Sequence, residues 1–168
     1  QYFEEIRDHL NDDGVLVQWV HLYELNDDLF RIIVNTVGSV FSHVEIWQCN
    51  GGDILLAASK KRIRADAAHI QRLLNSPKVA GDLNRPNLER TLRSPEDFLV
   101  GQVLSSDRFR WFFPGEPPYN LDTHPRLEYA APRAFFANQR ADLVWRLDER
   151  RVPLEQSYLH LADYLRKK

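Results

Sequence analysis

Apolar residues Phe3, Ile6 and Leu10 recur at helical spacing from the first turn of the chain. Asn11-Asp12-Asp13-Gly14 is expected to end that helix, since glycine takes the left-handed closing conformation without steric cost. Val15-Leu16-Val17-Gln18-Trp19-Val20 follows without polar alternation and reads as a strand buried on both faces. Such strands belong to parallel sheets covered by helices, so an α/β sheet is expected here and not an antiparallel surface. Asn26 or Asp27 can cap the next helix, whose Leu29, Phe30, Ile33, Val34, Val37 and Phe41 fall on one side. Two β-rich runs, His43 to Cys49 and Ile54 to Ser59, flank Asn50-Gly51-Gly52-Asp53, and the Asn-Gly pair suits a tight hairpin.

Beyond Lys60 the texture becomes helical. Ala65 to Leu74 is stopped by Ser76-Pro77, and Ser94-Pro95-Glu96-Asp97 opens another helix with a capping serine, a proline and acids. Ser105 to Pro132 is aromatic and proline-rich, and its polar interruptions predict a long loop instead of a helix. Ala134 to Leu147 and Pro153 to Leu165 predict two closing helices, the second with Leu154, Tyr158, Leu161 and Leu165 as its stripe. Three stretches result: 1–60 with the sheet, 61–132 with a helical insert and the aromatic loop, and 133–168 as a helical hairpin. Helix, buried strand, helix and hairpin is the closing order of a Rossmann-like, methyltransferase-type sheet. The expected fold is therefore α/β, the C-terminal half of such a sheet with a terminal antiparallel hairpin, followed by helices. A stripe already under way at Phe3, in a chain without methionine, suggests a start inside a fold.

Composition narrows the classes. The 168 residues are 43% hydrophobic, enough for one domain and a tail, and the mean hydropathy of -0.46 is that of a water-soluble protein. The longest apolar stretch, Gly14 to Val20, falls short of the roughly 20 residues that span a bilayer, so no membrane contact is expected. The single cysteine, Cys49, reads as a buried structural thiol, consistent with a reducing compartment and a cytoplasmic location. A net charge of -2 argues against nucleic acid as a partner. Lys60-Lys61-Arg62 with Arg64 reads as a solvated face, and Arg108-Phe109-Arg110-Trp111 as a packed loop. Histidines at 9, 21, 43, 69, 124 and 160 show no paired ligand spacing, so no metal is expected.

Two segments could carry chemistry. In open α/β sheets ligands bind beyond the carboxyl ends of the strands, which points to Gln18, Trp19, His21, Tyr23 and Glu24. The plainer alternative packs Trp19 in the core and leaves His21 and Glu24 as loop polars. Tyr119-Asn120-Leu121-Asp122-Thr123-His124 offers a hydroxyl, an amide, an acid and an imidazole, acceptors that an amine ligand would want. An Asx-type turn before Pro125 explains the same residues equally well.

Read together, "DHLNDDGVLVQWVHLYEL", "HVEIWQCNGGDILLAASK" and Tyr119-Asn120 with His124 and Pro132 resemble the polyamine aminopropyltransferase, or spermidine synthase, family. "HPRLEYAAPR" is similar to bacterial spermidine-synthase-like proteins, some with a membrane-spanning half before the domain and helical repeats after it. The likeness covers about residues 1–60 and 119–136, and the spacing from His124 to Pro132 is one residue longer than in the family. It implies transfer of an aminopropyl group from decarboxylated S-adenosylmethionine to a polyamine amine. Gln18 and Tyr119 match the acceptor pocket, and Asn120, Asp122 and His124 are further substrate-binding candidates. The family's glycine-rich cofactor turn and catalytic aspartate match nothing here. Gly51-Gly52 joins two antiparallel strands and cannot replace that turn. The chain is therefore expected to hold no cofactor and no catalytic residue and to be inactive alone, as the acceptor-side half of a transferase. A binding or assembly module derived from the same fold is the alternative. The apolar strand at Val15, with an unpaired edge, further predicts a homo-oligomer.

Overall fold

A computed structural model describes residues 1–49, 51–83 and 91–168. Asn50, half of the expected hairpin pair, lies outside the described residues. Helix α1 (Tyr2–His9) sets Phe3 and Ile6 against the core, as the helical spacing requires. It stops before Gly14: Leu10 is already extended and gives its N–H to the Ile6 carbonyl, and Gly14 is not left-handed. The role of Gly14 is close approach, since a Cβ there would lie 2.7 Å from Leu10 Cγ.

Strand β1 (Val15–His21) is followed by α2 (Asp27–Val40), which begins where Asn26 Oδ1 accepts the Leu29 N–H at 2.9 Å. Then come β2 (His43–Gln48), β3 (Asp53–Ser59) and, much later, β4 (Gln102–Leu104). The sheet order is β1-β3-β2-β4. Every pairing is antiparallel, with Val15 opposite Ser59, His21 opposite Asp53, and His43 also opposite Ser59. Strands β1 and β2 thus run the same way with the reversed β3 between them.

Strand β1 lies at the edge of an antiparallel sheet and not inside a parallel one. Its two faces differ: Val17 is 57% and Trp19 49% exposed, while Val20 on the opposite face is buried. Only the Leu16-Gln18-Val20 face carries helices along its length, so an unalternated run here does not signal two-sided cover. Cys49, just past β2, is likewise exposed and not buried.

The covered face continues through Val44, Ile46, Ile54, Leu56 and Ala58 and packs under Phe30, Val34 and Val37 of α2. The stretch expected to be a loop contributes most of one helix, which begins at Arg126, and all of another, α6 (Ser106–Phe112), capped by Ser105 and set against β2. Its Phe109 and the following Phe113 stand one helical turn apart on the core side, with Arg108 and Arg110 beside them. The polar interruptions therefore belong to an amphipathic helix. Phe113 meets Phe30 edge-on at 6.3 Å, and Arg110 donates to the Phe41 and Ser42 carbonyls. Gly38 admits Phe109, whose Cε1 would sit 3.1 Å from a Cβ at that position.

Smaller helices follow β3: α3 (Ala67–Leu74), α4 (Pro77–Leu83) and α5 (Pro95–Leu99), of which α5 sets Phe98 against Trp47 on the second face of the sheet. Helix α5 carries the expected start, a capping box of Ser94 and Asp97. Helix α7 (Arg126–Phe136) contacts α2 and contains Pro132.

The two expected closing helices are broken up. Asn138, left-handed at φ 47, ends the first pattern, and α8 (Leu143–Arg146) is a single turn. In the second, 3-10 turns at Glu149–Arg151 and Leu154–Gln156 precede α9 (His160–Leu165). The buried Glu149 carboxylate causes this break by accepting the Tyr158 N–H at 2.5 Å and the Ser157 hydroxyl at 3.4 Å. No helix among the described residues is long and apolar enough to cross a membrane.

Candidate functional site

At the carboxyl end of β1, Gln18 faces the helix-covered side opposite Leu56, and its Nε2 donates to the Trp19 carbonyl at 2.9 Å. Trp19, His21 and Tyr23 line the other side as tilted neighbours, with ring centroids 5.4 and 4.9 Å apart. Trp19 is thus an exposed strip residue and not a core one. Glu24 takes a left-handed conformation (φ 57) as the chain turns toward α2.

This end of the sheet is closed from far along the chain. Tyr23 bridges Arg140, the Ala141 N–H donates to Leu22 O at 2.8 Å, and Asn26 Nδ2 donates to Gln139 Oε1 at 2.9 Å. The Asp27 carboxylate accepts the Asp142 and Leu143 N–H groups, each at 2.8 Å, and pairs with Arg146. Burial alone would raise the Asp27 pKa. The Leu143 N–H, the Arg146 guanidinium and the Asp142 N–H prevail and hold it below the usual carboxylate value.

The second expected segment lies along the other half of α2. Tyr119 donates its hydroxyl to the Gly115 carbonyl. The Asn120 N–H donates to Thr36 Oγ1, and Asn120 Oδ1 accepts the Leu127 N–H, both at 2.9 Å. Leu121 and His124 pair across a tight turn that leaves Asp122 and His124 exposed, with His124 Nδ1 3.2 Å from Thr123 Oγ1. Tyr119 and Asn120 are brought together with α2. Gln18 shares no hydrogen bond with either, and each of the three side chains has a partner within its own segment or in the adjoining element.

A different cluster, on the second face of the sheet, is built from residues that no local pattern marks. Glu45 is 2% exposed and lies against His160 Nε2, with Oε1 at 2.9 Å and Oε2 at 3.2 Å. Trp47 Nε1 donates to Glu45 Oε2 at 3.1 Å, and the His160 N–H donates to Gln102 Oε1 at 2.7 Å. The Trp47 ring stacks on His160 at 6.2 Å. A cavity of about 980 Å3 adjoins this cluster, walled by Val17, Leu55 and Ala57 of the sheet and Ile70 and Phe98 of the helices. The one clue to Glu45 in sequence is an acid between Val44 and Ile46; its partner stands 115 residues away.

Nearby, His43 Nδ1 is 3.2 Å from Ser106 Oγ. Burial, then Arg62 and Arg110, push the His43 pKa down. Lys61 pairs with Asp12 at 2.9 Å and Arg62 with Asp107, on the basic stretch after β3. Among the described residues, no three His, Cys, Asp or Glu side chains are grouped so as to hold a metal. Compared with known proteins, the chain matches no family model, no curated protein and no solved structure.

Proposed function

We propose that residues 1–60 and 119–136 form the acceptor-side half of a spermidine-synthase-like, Rossmann-type domain, which transfers an aminopropyl group only when joined to a donor side. The observation that carries this reading is the strand order: β1 and β2 run in one sense with the reversed β3 between them. That arrangement resembles the end of a methyltransferase-type sheet. In this reading Gln18 and Tyr119 serve a polyamine, with Asn120, Asp122 and His124 nearby, and decarboxylated S-adenosylmethionine is held elsewhere. Calorimetry of the chain with decarboxylated S-adenosylmethionine is expected to show no binding, and the chain alone is expected not to turn over putrescine. Micromolar binding of the donor would overturn the proposal.

The alternative, a non-catalytic binding or assembly module on the same fold, draws support from the internal bonds of Gln18 and Tyr119. Turnover by a protein joined to a donor half separates the two. The acceptor reading expects Tyr119→Phe to weaken putrescine use by about 1–3 kcal/mol, the cost of a buried polar partner left unpaired. The module reading expects no turnover for Tyr119 to alter. A cytoplasmic homo-oligomer belongs to the same proposal, because no described strand pairs with the outer edge of β1. Sedimentation as a monomer, with fast amide exchange along Val15–Val20, would remove that part.

A further inference from the structure

We infer that Ser106 is a nucleophile activated by His43, and that the polar chamber it faces takes a small, uncharged carboxylic ester. The inference does not rest on the acceptor reading, because Ser106 and most of the chamber lie outside the stretches that carry the resemblance.

Two serines stand at the start of α6, and they are used differently. The Ser105 hydroxyl accepts the Arg108 N–H at 3.3 Å, so it is spent on capping the helix. The Ser106 hydroxyl has a single partner among the described residues, His43 Nδ1 at 3.2 Å. An imidazole within about 2.6–3.2 Å of a hydroxyl is placed to take its proton. Burial, then Arg62 and Arg110, push the His43 pKa down, against the opposing pull of Glu45. The ring is thereby kept neutral, with a lone pair on one nitrogen. Because the Ser106 hydroxyl has no other acceptor among the described residues, Nδ1 is assigned as the nitrogen that receives it. Ser106 is only 7% exposed, but its exposed part forms the wall of a chamber of about 620 Å3 that it shares with Glu45 and His160. That volume lies within the roughly 300–1,000 Å3 of small-molecule sites.

The chamber wall carries the carboxylates Glu45, Asp66 and Asp163 and the cations Arg62, Arg64 and Lys167. Their formal charges balance, so the chamber selects neither sign and an uncharged substrate is the class that fits it. In the reaction Ser106 Oγ bonds to the ester carbonyl carbon while its proton passes to His43 Nδ1. The bond from that carbon to the leaving oxygen then breaks, and the proton leaves with the alcohol. Water takes the place of the alcohol in the second half. It gives a proton to Nδ1, its oxygen bonds to the acyl carbon, and the bond to Oγ breaks as that proton returns to Ser106, releasing the carboxylic acid. Arg64 and Lys167 face the same chamber and are the positive charges available to the developing oxyanion.

The test uses the 168-residue chain with an alkyl fluorophosphonate and with p-nitrophenyl acetate. Phosphonylation forms a bond from Oγ to phosphorus, breaks the bond from phosphorus to fluorine and sends the proton through His43 to fluoride, so it reads the nucleophile in a single event. Mass spectrometry is expected to find one adduct per folded chain, on Ser106, and none on the chain unfolded in urea. His43→Gln keeps a hydrogen-bonding side chain but offers no base, and should slow labelling about a hundredfold. Ser106→Ala should abolish the adduct, and both variants should hydrolyse the acetate at least about tenfold more slowly than the parent. Circular dichroism checks the fold of each variant, and if either unfolds, the labelled residue of the parent and the loss of labelling in urea still decide. The proposal is overturned if the folded parent carries no adduct, if the adduct sits on another residue, or if the unfolded chain labels as fast. It is equally overturned if folded His43→Gln labels at the rate of the parent, or if folded Ser106→Ala hydrolyses the acetate as fast as the parent.

Discussion

Glu149 offers a direct test of how the last third of the chain is held. Its carboxylate is 1% exposed and accepts the Ser105 N–H at 2.9 Å, the Tyr158 N–H at 2.5 Å and the Ser157 hydroxyl at 3.4 Å. It thereby ties the start of α6 to the segment before α9. Glu149→Ala removes both acceptor oxygens and with them all three hydrogen bonds. The Ser105 amide, in a residue 2% exposed, has no route to water and should cost about 1–3 kcal/mol when left unpaired. Tyr158 is 54% exposed, so its amide can find water, at a cost nearer ~1 kcal/mol. Relief from holding a buried carboxylate offsets part of this. The net expectation is a loss of about 1–3 kcal/mol. Glu149→Gln keeps one acceptor but turns an NH2 toward a backbone donor, so about 1–2 kcal/mol is expected. Urea unfolding followed by far-ultraviolet circular dichroism measures both, and amide exchange at Ser105 and Tyr158 locates the damage. Either of two results refutes the reasoning: Glu149→Ala within about 0.5 kcal/mol of the parent, or Glu149→Gln costing more than Glu149→Ala.

Gly38→Val should destabilise by about 1–3 kcal/mol in thermal unfolding, because Phe109 is packed too closely to give way. An increase in melting temperature would show that the ring can move. The depressed pKa of Asp27 means that its contribution is present above the ordinary carboxylate value and is lost as pH falls through the folded value. The stability difference between the parent and Asp27→Asn should therefore be largest near neutrality and shrink below about pH 4. A difference constant from neutral to strongly acidic pH would assign the effect to shape instead of charge.

Local signals in the sequence placed α1, β1, α2 and the β2–β3 hairpin, because helical spacing, Asn26 and the β-rich runs act within a few residues. They did not show which faces of β1 are covered, since Val15, Val17 and Trp19 are as apolar as a buried set would be. Helix α6 has its marks in the sequence, Ser105 as a cap and Phe109 and Phe113 one turn apart, but the prolines after Phe113 signal a loop just as strongly. The closing segment misled because its stripe of Leu154, Tyr158, Leu161 and Leu165 is interrupted by a carboxylate outside the stripe. Tyr119 and Asn120 offer in sequence the groups an amine would want, and in the structure their partners are Gly115, Thr36 and Leu127. The Glu45–His160 pair was out of reach, because nothing near either residue announces the other.

The clasp of residues 138–146 on the end of β1 also bears on the order in which the molecule can assemble. A chain leaving the ribosome presents Asn26 and Asp27 about six seconds or more before the partners that satisfy them are made, given synthesis at roughly 5–20 residues per second and separations of 113 to 119 residues. Until then the start of α2 has its own cap but no clasp, and the outer end of the sheet is open. The β2–β3 hairpin can form early; the carboxyl end of β1 is finished only after residues 138–146 have been translated.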